Sequence, residues 1–277
     1  MTISRLISEL NGITWIEKIS LLSFALSKKK EEILIRPNET VTEEKFKFIK
    51  TIFEERKNGR PLAYIINSKE FFSEEFFVNE SVLIPRPETE ILVEEAINII
   101  KDMKGQPNIM DVGTGSGIIG IMIAKHTGID VLCLDISREA LRVASKNSER
   151  IGVKGKTFFV CSDLLEAIKE KGNFHVIVAN LPYVKTKEWE HLMKDVRDYE
   201  PKLALLGGED GLDLYRRLIR VLERVICEKG WFLCEVGGAE QAEVVSEMLI
   251  QKGFNVSKIK DYSGTERIIK AQWINSL

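Results

Sequence analysis

The strongest constraint on the fold is an alternation of strand-like and helix-like segments from Asn108 to the end of the chain. Short apolar runs such as "NIMDVG", "DVLCLD", "KTFFVCSD" and "FHVIVAN" alternate with segments whose apolar residues have helical spacing. This pattern predicts a doubly wound α/β sheet. The last two strand segments, "FNVSKIKDY" and "ERIIKAQW", lie too close together for a helical crossover. We therefore expect them to form an antiparallel edge hairpin.

The residues before this region follow two other patterns. Residues 1–70 show helical spacing and few strand signals, which predicts a small N-terminal helical domain. Residues 71–85 contain aromatic and β-branched runs separated by polar turns, and we assign them to a β-hairpin linker. The α/β domain is then expected at 86–277. A chain of 277 residues is long enough for both domains.

Composition narrows the class of protein. The net charge of −2 provides no overall positive field for binding nucleic acid or an anionic membrane. The four cysteines form no CxxC pair and have apolar neighbours, so we expect buried free thiols, a reducing compartment and no metal site. Without a signal peptide or a membrane-length apolar run, the expected location is the cytoplasm. No coiled-coil pattern is evident, and a monomer is the default expectation.

A glycine-rich loop, "MDVGTGSGIIG", joins the first strand of the α/β region to a helix. Glycines let the backbone approach a ligand closely, and the first turn of the helix offers unpaired N–H groups. Asp111 stands before Gly113, where it would crowd a pyrophosphate but bind an ammonium group. Asp135 ends the next strand, where a carboxylate binds both ribose hydroxyls. The pattern predicts S-adenosylmethionine rather than NAD. The alternative is a tight turn that binds nothing.

The same reasoning supplies the rest of the predicted cofactor site. In "CSDLL", Asp163 is within reach of an adenine amine and Leu164 stands beside the ring. Asn180, at the end of the fourth strand, is expected to border the cofactor as well as the substrate. The loop residues counted with this site are Gly113, Thr114, Gly115, Ser116 and Gly117.

The run "HVIVANLPYV" (175–184) ends a strand with Asn180-Leu181-Pro182-Tyr183. The Asn180 side-chain carbonyl accepts one hydrogen bond, and the Leu181 carbonyl, next to a proline, is free to accept another. With the flat ring of Tyr183, two such acceptors suit a planar –NH2 group of an amide or an aminated base. They would orient the nitrogen lone pair and stabilise the positive charge that develops on methylation. We predict that these four residues are the catalytic and substrate-binding residues.

These motifs resemble those of class I methyltransferases that act on planar amines. The segments "LIPRPETEILV" (83–93), "RPLAYI" (60–65) and "LLGGEDGLDLYRRL" (205–218) narrow the resemblance to the PrmC/HemK family, over nearly the whole chain. It implies a seven-stranded Rossmann-like methyltransferase domain with a small helical domain joined by a β-hairpin. The implied reaction methylates the side-chain amide nitrogen of the glutamine in the Gly-Gly-Gln motif of bacterial class-1 release factors. S-adenosylmethionine would be converted to S-adenosylhomocysteine, with the N-terminal domain docking the release factor.

The resemblance also implies roles for individual residues. The loop from Gly113 to Gly117 and Asp135 would bind the cofactor, with Leu164 near adenine, and 180–183 would hold the glutamine amide. The residues implied to border the active site and bind substrate are Pro85, Arg86, Pro87, Glu88 and Thr89. Without the resemblance, "RPETE" indicates the start of a helix, with a proline in the first turn and acids near its positive end.

One residue departs from the family pattern, which is usually Asn-Pro-Pro-Tyr. Leu181 replaces the first proline and gives "NLPY", the form typical of ribosomal RNA adenine dimethyltransferases. The carbonyl at 181 remains, but the rigidity of that proline is lost. An adenine amino-group methyltransferase acting on ribosomal RNA or DNA is therefore the alternative, although the flanking motifs and the lack of basic excess favour a protein substrate. A non-enzymatic sensor of S-adenosylmethionine, or a release-factor chaperone, is disfavoured by the nearly intact Asn180 motif.

Overall fold

The computed structural model describes residues 1–169 and 172–274. The chain divides into one unit of Met1–Ser68 with Met193–Tyr199 and a second unit of Lys69–Leu192 with the residues from Glu200 onward. The first division lies close to the boundary expected at residue 70. The prediction of a continuous domain at 86–277 did not anticipate that Met193–Tyr199 groups with the N-terminal unit. A sequence pattern follows chain order and does not show which distant residues are in contact.

From residue 108 onward the strands and helices alternate as the sequence predicts, except that the short helix at Lys194–Tyr199 was not anticipated. The helices are α1 Ile3–Glu9, α2 Trp15–Leu26, α3 Lys30–Ile35, α4 Glu43–Lys57, α5 Leu62–Ile66, α6 Thr89–Asp102, α7 Ile118–Thr127, α8 Arg138–Ile151, α9 Lys194–Tyr199, α10 Asp213–Leu222 and α11 Ala239–Gln251. The strands are β1 Lys69–Phe71, β2 Glu74–Phe76, β3 Ile109–Val112, β4 Val131–Asp135, β5 Thr157–Cys161, β6 Phe174–Ala179, β7 Ile226–Glu235, β8 Phe254–Lys260 and β9 Glu266–Trp273. Short 3₁₀ turns occupy Thr186–His191 and Lys202–Ala204.

The N-terminal unit is helical, as predicted from the spacing of its apolar residues. Thr14 caps α2 through a capping box with Glu17, which satisfies backbone donors at both positions. Thr42 caps α4 by accepting a hydrogen bond from the Lys45 backbone N–H. The buried apolar side chains of α1 to α5 form one core, which includes Leu6, Leu22 and Ile49 among others. The helices therefore stabilise one another by packing rather than by propensity alone.

The second unit contains a seven-stranded sheet in the order β5-β4-β3-β6-β7-β9-β8. The pairs from β5 to β7 are parallel, and β9 pairs antiparallel with both β7 and β8. This confirms the doubly wound, Rossmann-like sheet and the antiparallel hairpin at its edge, with β8 outermost and β9 against β7. Apolar clusters fill both faces of the sheet. From β3 the chain crosses to β4 on one side of that strand, and it later returns to β6 on the other side. The switch point of the topology therefore lies between β3 and β6.

The short hairpin differs in extent from the predicted linker at 71–85. Its strands, β1 and β2, pair from Lys69 opposite Phe76 to Phe71 opposite Glu74. Phe71 and Phe76 are buried in the same apolar cluster as helix α6. The hairpin is therefore part of the second unit, because burial of these two rings fixes it there. Residues 77 to 88 continue without a helix or strand.

Two other expectations are tested by the described residues. None of their helices is both long and apolar enough to cross a membrane. All four cysteines are free thiols, but only Cys133 and Cys234 are buried, whereas Cys227 is half-buried and Cys161 is exposed. The prediction of buried thiols was therefore wrong for Cys161, because it ends the edge strand β5, one side of which has no neighbour.

Candidate active site

A cavity of about 390 Å³ opens at the carboxyl ends of β3, β4 and β6. This is the edge of the sheet at which open α/β folds bind ligands, and the volume lies within the range of about 300–1,000 Å³ usual for ligand pockets. Residues 112–116 of the glycine loop, Asp135, and Asn180, Leu181 and Pro182 all line it. The structure thus brings together the three motifs that the sequence analysis placed at one edge.

The glycine loop has the conformation that its composition predicts. Gly113 has a φ of +76°, where a residue with a side chain would be strained, and a Cβ there would lie 2.9 Å from Leu181 Cδ2, so the leucine side chain would have to shift. The backbone N–H groups of Gly113 and Thr114 donate to the Leu134 carbonyl. The loop is therefore held against the end of β4 with its open side towards the cavity.

Asp111 does not contact the cavity, in contrast to the ammonium contact expected from the sequence. It is fully buried, and its Oδ2 accepts hydrogen bonds from Thr114 Oγ1 at 2.6 Å and from the Gly120 backbone N–H at 3.0 Å. Its Oδ1 is buried without a hydrogen-bond partner among the described residues. Burial raises the pKa of this carboxyl to about 6. Asp111 therefore stabilises the loop from beneath.

The Asp111→Asn variant should change how stability depends on pH. Because the folded pKa, about 6, exceeds the ordinary value of 3.8, the folded protein favours the protonated acid, and stability falls as pH rises from about 4 to about 6. The two-unit difference corresponds to about 3 kcal/mol. Urea unfolding at pH 4.5 and pH 7 should show a smaller loss in Asp111→Asn than in the wild type. The exposed Asp102→Asn is the control, and equal losses in all three proteins would contradict the assignment.

Asp135 lines the cavity at the end of β4, as predicted. Its Oδ2 accepts from the Gly115 backbone N–H at 2.8 Å, and its Oδ1 accepts from that of Ser137 at 2.8 Å. Burial raises the pKa of the carboxyl, and these hydrogen bonds oppose that shift. A carboxylate offers about four acceptor sites, so acceptor capacity remains on both oxygens. The side chain is thus fixed in place with lone pairs available to a ligand.

Asp163 and Leu164 also line the cavity. Asp163 is engaged by a residue that the sequence analysis did not connect with it, because Arg217 Nη2 donates to its Oδ2 at 2.8 Å. Arg217 lines the cavity as well. Leu164 has a φ of +48°, a left-handed conformation that is uncommon for a side-chain-bearing residue. The pair of Asp163 and Arg217 forms part of the cavity wall near Leu164.

Asn180 lines the cavity with its amide held from behind. Its Nδ2 donates to Glu235 Oε2 at 3.0 Å and to Thr89 Oγ1 at 3.2 Å. Thr89 Oγ1 in turn donates to the same Glu235 oxygen at 2.6 Å. Both hydrogens of the amide nitrogen have acceptors on this side. The amide oxygen, Oδ1, is therefore the atom that remains for a ligand.

Glu235 was not singled out by the sequence analysis. It ends β7 and is 1% exposed. Burial, with a smaller contribution from the Glu88 charge, raises its pKa to about 7, against the opposing hydrogen bond from Thr89. The signal that could have identified it is its position: an acid at the carboxyl end of the strand next to β6, in "FLCEVG".

The main chain of Leu181 is held by a second buried group. The Leu181 N–H donates to the Tyr215 hydroxyl at 3.1 Å, and that hydroxyl donates to the backbone carbonyl of Glu235. Tyr215 lies on α10 and is fully buried. A proline at 181 has no N–H and could not form the first of these bonds. The hydrogen-bonded chain therefore restrains the loop where this sequence lacks the first proline.

The segment "PRPETE" both leads into a helix and borders the cavity, so its two interpretations are compatible. Helix α6 begins at Thr89, with Glu88 as its N-cap residue. Arg86 lines the cavity and donates through Nη2 to the buried Glu200 at 2.6 Å, and Glu200 also accepts from the Ile84 backbone N–H at 3.0 Å. Of the other predicted residues, Pro85 and Thr89 line the cavity, whereas Pro87, Glu88, Tyr183 and Gly117 do not.

Tyr183 contacts the site from behind the cavity wall. Its hydroxyl donates to Glu235 Oε1 at 3.4 Å. Burial raises the pKa of this phenol well above its usual value, and the nearby Glu235 charge adds to the shift. The ring is half-buried and packs against the apolar cluster on one face of the sheet. Tyr183 therefore belongs to the group of residues around Glu235.

Comparison with known families identifies both parts of the chain. A family model described as a PrmC N-terminal domain matches residues 19–66, and one described as a methyltransferase domain matches residues 109–199. The fold of the chain also resembles that of a methyltransferase from Pyrococcus furiosus, with a TM-score of 0.56 and 16% identity over 82% of this chain and 98% of that one.

Relatives align over most of the chain. A release factor glutamine methyltransferase from Clostridium acetobutylicum is 38% identical over 91% of this chain and 88% of its own length. A protein of the same name from Clostridium botulinum is 39% identical over 91% of this chain and 89% of its own. A third, from Leptospira interrogans, is 41% identical over 78% of this chain and 76% of its own. The similarity thus extends through both the helical unit and the sheet.

Proposed function

The chain belongs to the family of release factor glutamine methyltransferases, and on that premise we propose that it methylates the side-chain amide nitrogen of the glutamine in the Gly-Gly-Gln motif of bacterial class-1 release factors. The observation that carries this proposal is the orientation of Asn180. Its amide nitrogen is bound by Glu235 and Thr89, which leaves Oδ1 at the cavity as an acceptor. An acceptor of this kind suits a substrate that donates N–H groups.

The cavity fits S-adenosylmethionine as the methyl donor. Asp135 offers acceptors for two ribose hydroxyls, and Leu134, Ile136 and Leu164 supply apolar contacts for an adenine ring. A backbone cradle is formed by residues 113–116, where a Cβ at Gly115 would enter open space rather than protein. Asp111 lies beneath this cradle and not in it, so we assign no ligand contact to its carboxylate.

The residues of this chain bind and orient the glutamine amide. Asn180 Oδ1 and the Leu181 carbonyl accept its two N–H groups, which directs the nitrogen lone pair away from the carbonyl plane and towards the donor. Both acceptors stabilise the positive charge that develops on nitrogen. When bound, S-adenosylmethionine supplies a methyl group whose bond to sulfur breaks as the nitrogen–carbon bond forms, leaving S-adenosylhomocysteine. The nitrogen then loses one proton to solvent, so the reaction needs no strong base.

The same arrangement explains selection of glutamine over glutamate. A glutamate carboxylate has no N–H to donate, and its oxygens would face two acceptors, which costs binding free energy. An extended Gly-Gly-Gln segment suits a narrow cavity because glycines permit close backbone approach. Arg86, held by Glu200 at the cavity, is available to contact the peptide.

The function is tested by methyl transfer from labelled S-adenosylmethionine to three substrates: a purified release factor, its Gln→Glu variant at the Gly-Gly-Gln motif, and ribosomal RNA. Label on the release factor, absent from the variant, is the expected result. Label on RNA alone would favour the adenine methyltransferase that "NLPY" suggests. Cofactor binding without transfer to any of the three would favour a binding module.

The helical unit would dock the release factor, and a formal net charge of −2 argues against a direct nucleic-acid partner. We propose that the enzyme acts as a monomer in the cytoplasm, where its substrate is found. Size-exclusion chromatography with light scattering, at the concentration used for the activity assay, would reveal a dimer if the monomer assignment is wrong.

The Tyr215→Phe variant tests the restraint on Leu181. Loss of the hydroxyl leaves the Leu181 N–H and the Glu235 carbonyl unpaired in a buried site, which costs about 1–3 kcal/mol for each such group. We expect the free energy of unfolding to fall by about 2 kcal/mol or more. The kcat should fall as the carbonyl at 181 loses its position, with cofactor affinity unchanged. Tyr262→Phe, at an exposed tyrosine, is the control, and wild-type kcat and stability in Tyr215→Phe would contradict the role.

A further inference from the structure

We propose that Glu235 is a positioning residue that fixes both acceptors for the substrate amide. Its carboxylate holds the Asn180 amide nitrogen, and its backbone carbonyl holds Leu181 through the Tyr215 hydroxyl. Glu235 does not line the cavity, so it acts through these residues and not by contact with substrate. The inference rests on the proposed function and assigns the group that enforces it.

The Asn180 amide can face its neighbours in two orientations. An amide has a donor end and an acceptor end of nearly the same shape, so packing alone does not select one orientation. An ionised carboxylate only accepts hydrogen bonds. Glu235 therefore binds Nδ2, and a flipped amide would place Oδ1 against a carboxylate oxygen. Ionised Glu235 thus selects the orientation in which Oδ1 faces the substrate.

Thr89 by itself does not make this selection. Its hydroxyl accepts from Asn180 Nδ2 and donates to Glu235 Oε2. A hydroxyl rotates and can equally donate to an amide oxygen. The direction of the Thr89 hydroxyl is set because the buried carboxylate accepts its hydrogen bond. The orientation of the whole group therefore depends on Glu235.

Glu235 also strengthens Asn180 Oδ1 as a hydrogen-bond acceptor. A hydrogen bond to an ionised carboxylate is stronger than one between neutral groups, and bonds in a chain polarise one another. The Glu235 carboxylate polarises the Asn180 amide through its N–H groups and so increases the negative charge on Oδ1. That oxygen faces the nitrogen on which positive charge develops during transfer. Glu235 thereby stabilises the transition state more than the bound substrate.

Protonation of Glu235 would remove this selection of the amide orientation. Burial raises the pKa of Glu235 to about 7, and the groups that face it from neighbouring elements are Glu88, Tyr183, Tyr215 and Arg267, with Arg86 close to Tyr183. A protonated Glu235 carries an O–H that can donate to the amide oxygen, so the flipped orientation of Asn180 becomes tolerated. The active form is the ionised one, and kcat should rise with pH through the pKa of this carboxyl.

The experiment compares wild type, Glu235→Gln and the exposed Glu247→Gln. The kcat and KM for a purified release factor are measured from pH 6 to pH 8.5 at saturating S-adenosylmethionine, and cofactor affinity is measured without the release factor. The wild type and Glu247→Gln should show kcat rising with pH. Glu235→Gln should lower kcat at pH 8 by about 10- to 100-fold, the effect of losing one charged hydrogen bond. Its profile should be flat, with cofactor affinity unchanged.

The outcomes separate the inference from the function on which it rests. If the wild type does not methylate the release factor, the proposed function fails and the inference fails with it. If the wild type methylates it but Glu235→Gln has the same kcat and pH profile, only the inference is overturned. If Glu235→Gln does not fold, the wild-type profile decides, because a kcat that does not change between pH 6 and pH 8.5 overturns the inference on its own.

Discussion

Replacement of Asn180 by alanine is expected to lower kcat for release-factor methylation by about 10²- to 10³-fold, the usual effect of removing one group that stabilises developing charge. The variant loses the Oδ1 acceptor, while the Leu181 carbonyl and the glycine loop are unchanged. Affinity for S-adenosylmethionine should therefore stay near the wild-type value. The measurement is single-turnover transfer of labelled methyl together with calorimetric titration of the cofactor.

The matched control is Asn255→Ala, because Asn255 is an exposed asparagine on the edge strand β8, far along the sheet order from the cavity. It should have wild-type kcat and affinity. Methylation by Asn180→Ala at the wild-type rate would mean that the amide acceptor is not part of the mechanism. Loss of cofactor affinity equal to the loss of kcat would mean that Asn180 serves the cofactor site, as one part of our sequence interpretation allowed.

Replacement of Asp135 by asparagine is expected to act on the cofactor first. The neutral side chain can still accept one hydrogen bond from the loop, from Gly115 or Ser137, but it loses the charge and part of its acceptor capacity. Charge-assisted hydrogen bonds are worth about 1.5–3 kcal/mol, so the Kd for S-adenosylmethionine should rise by about 10- to 100-fold. At saturating cofactor most of the wild-type kcat should return.

Asp130→Asn is the control for this variant. Asp130 is an exposed aspartate that directly precedes β4, at the opposite end of the strand from Asp135, and it pairs with Lys156. It should leave the Kd unchanged. An unchanged Kd in Asp135→Asn would remove the ribose assignment, and a loss of kcat that saturating cofactor does not restore would shift the role of Asp135 towards the substrate.

Much of the fold could be predicted from the sequence because its signals are local. Strands such as "FHVIVAN" are apolar runs bounded by turn residues, and helices such as α8 begin at a capping serine and end before a glycine. The hairpin β8–β9 followed from the short connection alone. The grouping of Met193–Tyr199 with the N-terminal unit could not be predicted, because it depends on contacts between residues that are distant in the chain.

In the candidate site, too, some positions could be predicted from the sequence and others could not. Gly113, Asp135 and Asn180 were predicted because each ends or follows a strand, and parallel strands bring their carboxyl ends to one edge. Asp111 was assigned to a ligand because its chain position says nothing about depth, and the structure buries it beneath the loop. Its neighbours Thr114 and Gly120 take the hydrogen bonds that the sequence interpretation gave to an ammonium group.

The sequence by itself determined the alternating sheet, and it placed the glycine loop and Asn180 with its neighbouring carbonyl at one edge of that sheet, where we propose that the cofactor and a planar amide bind. These features depend on the spacing of residues within one chain segment, where backbone geometry fixes which residues lie close together. Only the tertiary structure decided which residues hold Asn180 and Leu181 in place by hydrogen bonds. Glu235 and Tyr215 reach Asn180 and Leu181 from 55 and 34 residues away in the chain. Whether a carboxylate is ionised, and which end of an amide it binds, depends on burial and on partners that only the folded chain assembles.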